Sequence, residues 1–194
     1  MIDVRDFYQH LPILEAERLV LRPFTLADIP DIFVYASDPQ VTRFLFWGPH
    51  VNQQQTENYI RTVLGEYEKG EDGPWGIELR ETGKIIGSIH LMDLDAKHRK
   101  SEVGFVLAKA YHNQGIMTEA LREVLVFALN ELGLNRVEGF CAADNLASAA
   151  VMQKVGMQQE GVLRDYLFQK DAFKDFILYA ILKRDFEGMT KGEN

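Results

Sequence analysis

The stretch with the clearest chemical potential is Ser101-Glu102-Val103-Gly104-Phe105-Val106-Leu107, followed by a polar turn from Ala108 to Asn113 and then Gln114-Gly115-Ile116-Met117-Thr118-Glu119-Ala120-Leu121. An apolar strand that turns through a glycine into a helix start makes an anion site. The first-turn N–H groups lack intrahelical partners, and the helix dipole is positive there. Gly115 lets a phosphate approach the backbone with no Cβ in the way. Each N–H bonded to a charged oxygen contributes about 1.5–3 kcal/mol. Ordinary strand-to-helix turns also carry convenient glycines, so Gly115 alone does not decide the matter. A second helix start, Asn145-x-x-Ser148, closes at Lys154-x-Gly156. Asn145 suits a cap worth about 1 kcal/mol, and Ser148 can bond either its own first turn or a ligand. Glu102 is the one carboxylate in its apolar strand. Burial there would raise its pKa toward that of a base useful near neutral pH; the plainer alternatives are a solvent-facing position or an ion pair.

These residues need elements to hold them. Leu19-Val20-Leu21 reads as a strand ended by Arg22-Pro23, and Thr25 or Asp28 can cap a short helix up to about Ala36. Asp38-Pro39 turns into a segment ending at Phe44-Leu45-Phe46-Trp47-Gly48-Pro49, and a polar helix follows from about Gln53 to Glu68. Trp75, Ile77 and Leu79 alternate with Gly76, Glu78 and Arg80, a strand with one buried face. Glu81-Thr82-Gly83-Lys84 connects it to a strand from Ile85 to Leu91, and a further strand covers about Ser101 to Leu107. From Gly115 the period changes: Met117, Leu121, Val124, Leu125, Ala128 and Leu132 share a helical face, stopped by Gly133. Arg136 to Ala142 reads as a buried strand, Asn145 to Lys154 as a helix capped by Asp144 or Asn145, and Met157–Arg164 and Phe173–Leu182 as final strands. A single domain over residues 1–186 with a loose polar tail over 187–194 is expected. The class is α+β, a mostly antiparallel sheet whose one strand–helix–strand crossover pairs its strands in parallel.

Composition narrows the partners. A chain of 194 residues, 46% hydrophobic and 26% charged, suits one core. A net charge of −8 argues against nucleic acid and is compatible with a cationic partner, or with solubility alone. The single Cys141 cannot form an internal disulfide, which suits a reducing compartment. The start of the chain lacks a signal-peptide pattern, and its longest apolar runs, Val124–Leu129 and Ile177–Leu182, are far shorter than a membrane span of about twenty residues. A soluble, cytoplasmic protein is expected.

The order of elements and local spacing resemble the GNAT superfamily of acetyl-CoA-dependent N-acetyltransferases, and within it the ribosomal-protein N-terminal (RimJ/RimL-like) branch. The residues that carry the resemblance are Glu17-Arg18-Leu19-Val20-Leu21-Arg22, Thr42-Arg43-Phe44-Leu45 with Trp47 and Pro49, Ile85-Ile86-Gly87-Ser88-Ile89, Glu102-Val103-Gly104-Phe105, Gln114 to Leu121, Asn145-x-x-Ser148 and Lys154-x-Gly156-Met157. They extend over about residues 15–186. The resemblance implies an acyl-CoA N-acyltransferase fold with helices on both sheet faces. It also implies acetyl-CoA as cosubstrate and an amine acceptor, either a protein N-terminus or a small amine. The pyrophosphate would lie on His112, Asn113, Gln114, Gly115, Ile116, Met117 and Thr118. The pantetheine arm would run between the strands of Val103–Leu107 and Val137–Ala142, near Phe105, Val106, Leu107, Asn145 and Ser148. A backbone N–H near Phe105 or Val106 would hold the thioester oxygen. Glu102 would act as base, directly or through water.

Three positions depart from the superfamily pattern. His112 stands where Gln or Arg is usual, and Met117 where a small residue is usual, although a Met side chain can turn into the core. Met152 stands seven residues after Asn145, where many members place a proton-donating tyrosine. Ser148 or solvent is then left to protonate the thiolate. Trp47, Glu102 and Tyr166 are the candidate acceptor contacts, with Asp165 beside the last; Phe44 and Phe46 read as packing residues in a segment that walls the acceptor pocket in this branch. His90 and Cys141 read as structural, no metal-ligand spacing is present, and the chain can be a monomer or a homodimer.

Overall fold

The computed structural model describes residues 3–191. Its eight strands form one sheet in the order β1-β2-β3-β4-β5-β6-β8-β7. They are β1 (Leu14–Glu15), β2 (Leu19–Arg22), β3 (Trp75–Leu79), β4 (Lys84–Asp95), β5 (Lys100–Leu107), β6 (Arg136–Ala142), β7 (Gln158–Gln169) and β8 (Ala172–Leu182). The helices are α1 (Val4–Gln9), α2 (Ile29–Ala36), α3 (Gln53–Lys69), α4 (Ile116–Val126), α5 (Leu146–Lys154) and α6 (Lys183–Lys191). Every neighbouring pair of strands is antiparallel except β5 and β6, which are joined through α4 and run parallel. The single expected crossover is therefore present.

The two faces are covered by different helices. On β5, Val103 lies beside Gly139 of β6, and a Cβ built on Gly139 would also meet Met152 of α5. Val106 pairs with Ser88 on β4, and Ser88 lies beside the Tyr35 hydroxyl of α2. Residues three apart on a strand leave opposite faces, so α5 and α2 flank the sheet. Between sheet and helices lies a continuous core that includes Leu19, Leu21, Trp75, Ile77, Ile89, Leu91, Leu121, Val124 and Leu125.

Four differences from the sequence reading have local causes. The amphipathic run from Gly115 does not stay α-helical to Leu132: after Val126 it widens into a π turn over Phe127–Glu131, where Leu132 N–H reaches Phe127 O five residues back. Gly133, at φ 74°, still supplies the stop. The last strand pair is longer than its apolar pattern because β7 continues through exposed residues to Gln169 as an edge strand. The segment from Glu187, expected to be loose, lies in α6 as far as Lys191, its apolar anchor being buried Phe186; residues 192–194 lie outside the described region. Finally α1, too short to show a period, buries Phe7 and Tyr8 beside Trp75.

Candidate active site

The site begins where two neighbouring strands part. β5 and β6 pair only at Lys100↔Arg136, Ser101↔Val137 and Glu102↔Glu138. Beyond that point each strand keeps its other partner and the ladder between them ends. Which backbone groups face the opening follows from alternation. Ala108 N–H bonds Ile86 O at 2.8 Å, so stepping back by two, Val106 and Gly104 are the residues bonded to β4. Phe105 and Leu107 therefore turn their N–H and C=O toward β6. On the other side Ala143 N–H bonds Asp175 O at 2.9 Å, which assigns Cys141 and Gly139 to β8 and leaves Phe140 facing β5. Of the two amides expected to meet a thioester oxygen, Phe105 has its N–H at the opening and Val106 does not. An extended chain carrying amides fits between edges of this kind.

At one end of the opening the chain turns into α4. Asn113 (φ 60°) and Gly115 (φ 76°) are both in the left-handed region, the backbone turn from which anion nests are built. A Cβ on Gly115 would meet only Arg18 Nη2, at 3.6 Å. The glycine is thus required by its φ rather than by crowding. Ile116 and Met117 bury their side chains in the core, leaving their backbone at the nest, while Thr118 is half-buried. His112 donates a ring nitrogen to Leu107 O at 2.9 Å; a carbonyl can only accept, so that Nε2 carries the proton. The histidine closes the turn where a longer polar side chain was expected. Gln114 Nε2 likewise folds back onto Ala110 O at 2.8 Å. Beside the nest lies a depression of about 380 Å³ lined by Gly115, Thr118, Glu119, Arg122 and Lys154. A larger one, about 1100 Å³, sits at the far end of α4 against Phe127 and Gly133 and contains none of the candidate residues.

Glu102 is the last β5 residue paired with β6, so its side chain leaves the sheet at the apex of the opening. Its pKa is raised from 4.5 to about 7, first by burial and then by the charges of Asp93 and Glu138. Glu138 itself is held by Arg136 at 2.6 Å. Two other groups are quiet. Burial pushes Cys141 up to about 11, a neutral thiol and no nucleophile. Burial pushes His90 down to about 4 against the pull of Asp72 and Asp93, leaving it uncharged on the face of Glu102.

On α5, Asn145 rather than Asp144 is the cap: its Oδ1 accepts from Ser148 N–H at 3.3 Å. Asn145 Nδ2 also donates to Ser148 Oγ at 3.0 Å. Ser148 is thereby an acceptor in that bond, and its own hydroxyl proton is free to be given to something else.

A family model described as an acetyltransferase (GNAT) domain matches residues 18–158. The chain belongs to the GNAT acetyltransferase family. An uncharacterized N-acetyltransferase of Bacillus subtilis (strain 168), YoaA, is 35% identical over 172 residues, 89% of this chain and 97% of that one. The ribosomal-protein-serine acetyltransferase of Escherichia coli (strain K12) is 30% identical over 138 residues, covering 66% and 77%. The fold is shared with RimL, a ribosomal L7/L12 α-N-protein acetyltransferase solved in complex with coenzyme A, at a TM-score of 0.78 and 19% identity over 88% of this chain and 98% of that one. This protein is an N-acetyltransferase whose relatives include ribosomal-protein acetyltransferases.

In this GNAT enzyme one further group, Arg18, joins the site in a role that sequence spacing did not reveal. Arg18 donates from its backbone N–H (2.8 Å) and its Nε (2.7 Å) to Glu119, and from Nη1 to Gln114 O at 3.0 Å. It ties β2 to the first turn of α4 and sets a cation beside Gly115. Only its place next to Leu19-Val20-Leu21 could have hinted at this, because Glu119 is 101 residues away. Met152 is buried against Gly139, on the face away from Glu102, and stands in for no proton donor. Trp47 packs on His50 with ring centroids 5.2 Å apart, and Tyr166 stacks on Phe140 at 5.9 Å. Among the described residues, Trp47 and Tyr166 share no ring contact.

Proposed function

We propose that this enzyme transfers the acetyl group of acetyl-CoA directly to a primary amine, the α-amino group of a peptide or protein N-terminus. The observation that carries the reading is the position of Glu102, a carboxyl with a pKa of about 7 at the apex of a strand opening that leads to an anion nest. Acetyl-CoA supplies the acyl group as a reactive thioester. The nest from Asn113 to Thr118, with the Arg18 guanidinium beside it, holds the pyrophosphate. The Phe105 and Phe140 backbone groups hold the extended arm. Phe105 N–H donates to the thioester oxygen, where negative charge grows as the amine attacks.

An aliphatic ammonium cannot attack, so a proton must leave it. Glu102, ionised to about one half at pH 7, accepts that proton directly or through one water. The nitrogen–carbon bond forms and the carbon–sulfur bond breaks; the second proton that the nitrogen must lose balances the one the departing thiolate gains, passed through Ser148, which is reprotonated in turn, or through solvent. The protein-terminus acceptor is supported by the ribosomal-protein relative. No helix among the described residues is long and apolar enough to cross a membrane.

The test is thiol release from acetyl-CoA by the purified protein with a panel of N-terminal peptides and small amines, alongside calorimetry with coenzyme A. Turnover on peptides supports the reading. Turnover confined to small amines sinks the protein acceptor, and binding without any turnover sinks the transferase role.

A further inference from the structure

We infer that the accepted amine carries an aromatic ring close to its nitrogen: an arylalkylamine, or a peptide whose first residue is aromatic. This rests on the acetyl-transfer reading above. Phe140 follows Glu138 by two residues on β6, so the two side chains leave the same face about 7 Å apart. Glu138 pairs with Glu102, which makes Phe140 the next side chain along from the base. A run of rings starts there. Tyr166 stacks on Phe140 at 5.9 Å and 14° and leans on Phe176 at 5.9 Å; Phe176 stacks on Phe46 at 6.4 Å and 8°. Phe176 pairs with Ala142 and so shares the face of Phe140. Phe46 is 73% exposed and Tyr166 48% exposed, two rings on either side of buried Phe176 that the fold itself leaves uncovered.

The wall is built, not incidental. β7 loses register between Leu163 and Leu167, and there Asp165 takes φ 49° with its N–H held by Asp175 at 2.8 Å. β7 takes four steps there against two on β8, and an insertion of this kind re-aims side chains, here Tyr166 onto Phe140 and Phe176. At the hairpin tip, Lys170 and Asp171 both have positive φ (50° and 64°), the geometry of a tight turn. From this tip buried Gln169 donates to Phe44 O (3.2 Å) and Leu45 O (2.7 Å), and Lys170 Nζ to Thr42 O (2.6 Å) and Arg43 O (2.8 Å). Four bonds thus fasten the segment bearing Phe46 before any acceptor arrives, which lowers the ordering cost of binding.

Such rings pair best with another ring in offset or edge geometry.

The full chain, supplied with acetyl-CoA, is assayed for thiol release with phenethylamine against putrescine and spermidine, and with Phe-Ala-Ala against Ser-Ala-Ala. The aromatic member of each set is expected to show at least about tenfold higher kcat/KM. Phe46→Ala and Tyr166→Ala, both at exposed positions, are expected to raise its KM while leaving coenzyme A affinity by calorimetry unchanged. Equal or better use of the polar amines overturns the inference and leaves the transfer reading standing. So does a Phe46→Ala protein with an altered oligomeric state and an unaltered acceptor profile, which would make the wall a contact between copies. Coenzyme A binding with no thiol release from either set overturns both.

Discussion

Replacing Glu102 by Gln separates its chemistry from its structural cost, because the two effects have opposite signs. In the folded protein the pKa is about 7 against an ordinary 4.5, so the native state holds this proton more tightly than the unfolded chain does. The associated stability is fully present below pH 4.5 and is lost as pH rises through about 7. The full difference between 4.5 and about 7 sets a ceiling of about 3 kcal/mol. Glu102 is only partly buried, so screening by water reduces this to about 1–2 kcal/mol. Glutamine keeps the shape without the charge. At pH 8 the variant should therefore melt about 2–8 °C higher than the parent, with the gap closing toward pH 4. Its kcat at saturating acceptor should fall by about 10²-fold or more. The parent's kcat should rise about tenfold between pH 6 and 8, and that limb should be absent from the variant. A variant that keeps both the rate and the limb would remove Glu102 as the base. One that melts lower at pH 8 would show that the carboxylate is stabilised by its surroundings rather than strained by them.

Gly115→Ala forces a Cβ into a left-handed conformation, an expected cost of about 1–2 kcal/mol, visible as a lower Tm and a weaker coenzyme A isotherm. With 3.6 Å to the nearest atom, no repacking should rescue it. Arg18→Ala should weaken coenzyme A and its 3′-dephospho form alike, by about tenfold, because it removes a charge-assisted contact at the nest itself; selective loss for the 3′-phosphorylated form would place Arg18 at the other phosphate. If Ser148 protonates the thiolate, Ser148→Ala should slow turnover most at pH 6, and the defect should fade above about pH 9, where a thiol of ordinary pKa leaves without a proton. A defect uniform across pH would assign Ser148 to binding. Gly139→Ala should lower Tm, since its Cβ would lie 2.8 Å from buried Met152 Sδ.

What could be read from the chain alone was whatever depends on near neighbours. Glycines at 115, 133 and 156 mark helix ends because only glycine takes those φ values readily, and all three have positive φ here. The Asn145 cap, the alternation of Trp75 to Leu79 and the apolar face after Gly115 are of the same kind, each fixed by backbone period within a turn or two. The parallel crossover followed from a strand, a helix and a strand in sequence. The carboxylate in β5 was visible too, as a charge in an apolar run. Its pKa of about 7 was not, since the neighbours that help raise it, Asp93 and Glu138, come from other strands, β4 and β6. The same limit explains the other omissions. The anchoring of Arg18 to Glu119, the bulge that turns Tyr166, and the meeting of Phe46 with Phe176 join residues far apart in the chain. Their contact depends on register, twist and the place where two strands separate. Local pattern fixes which residues form each element; only the packed sheet sets which elements stop pairing, and it is there that this protein's site opens.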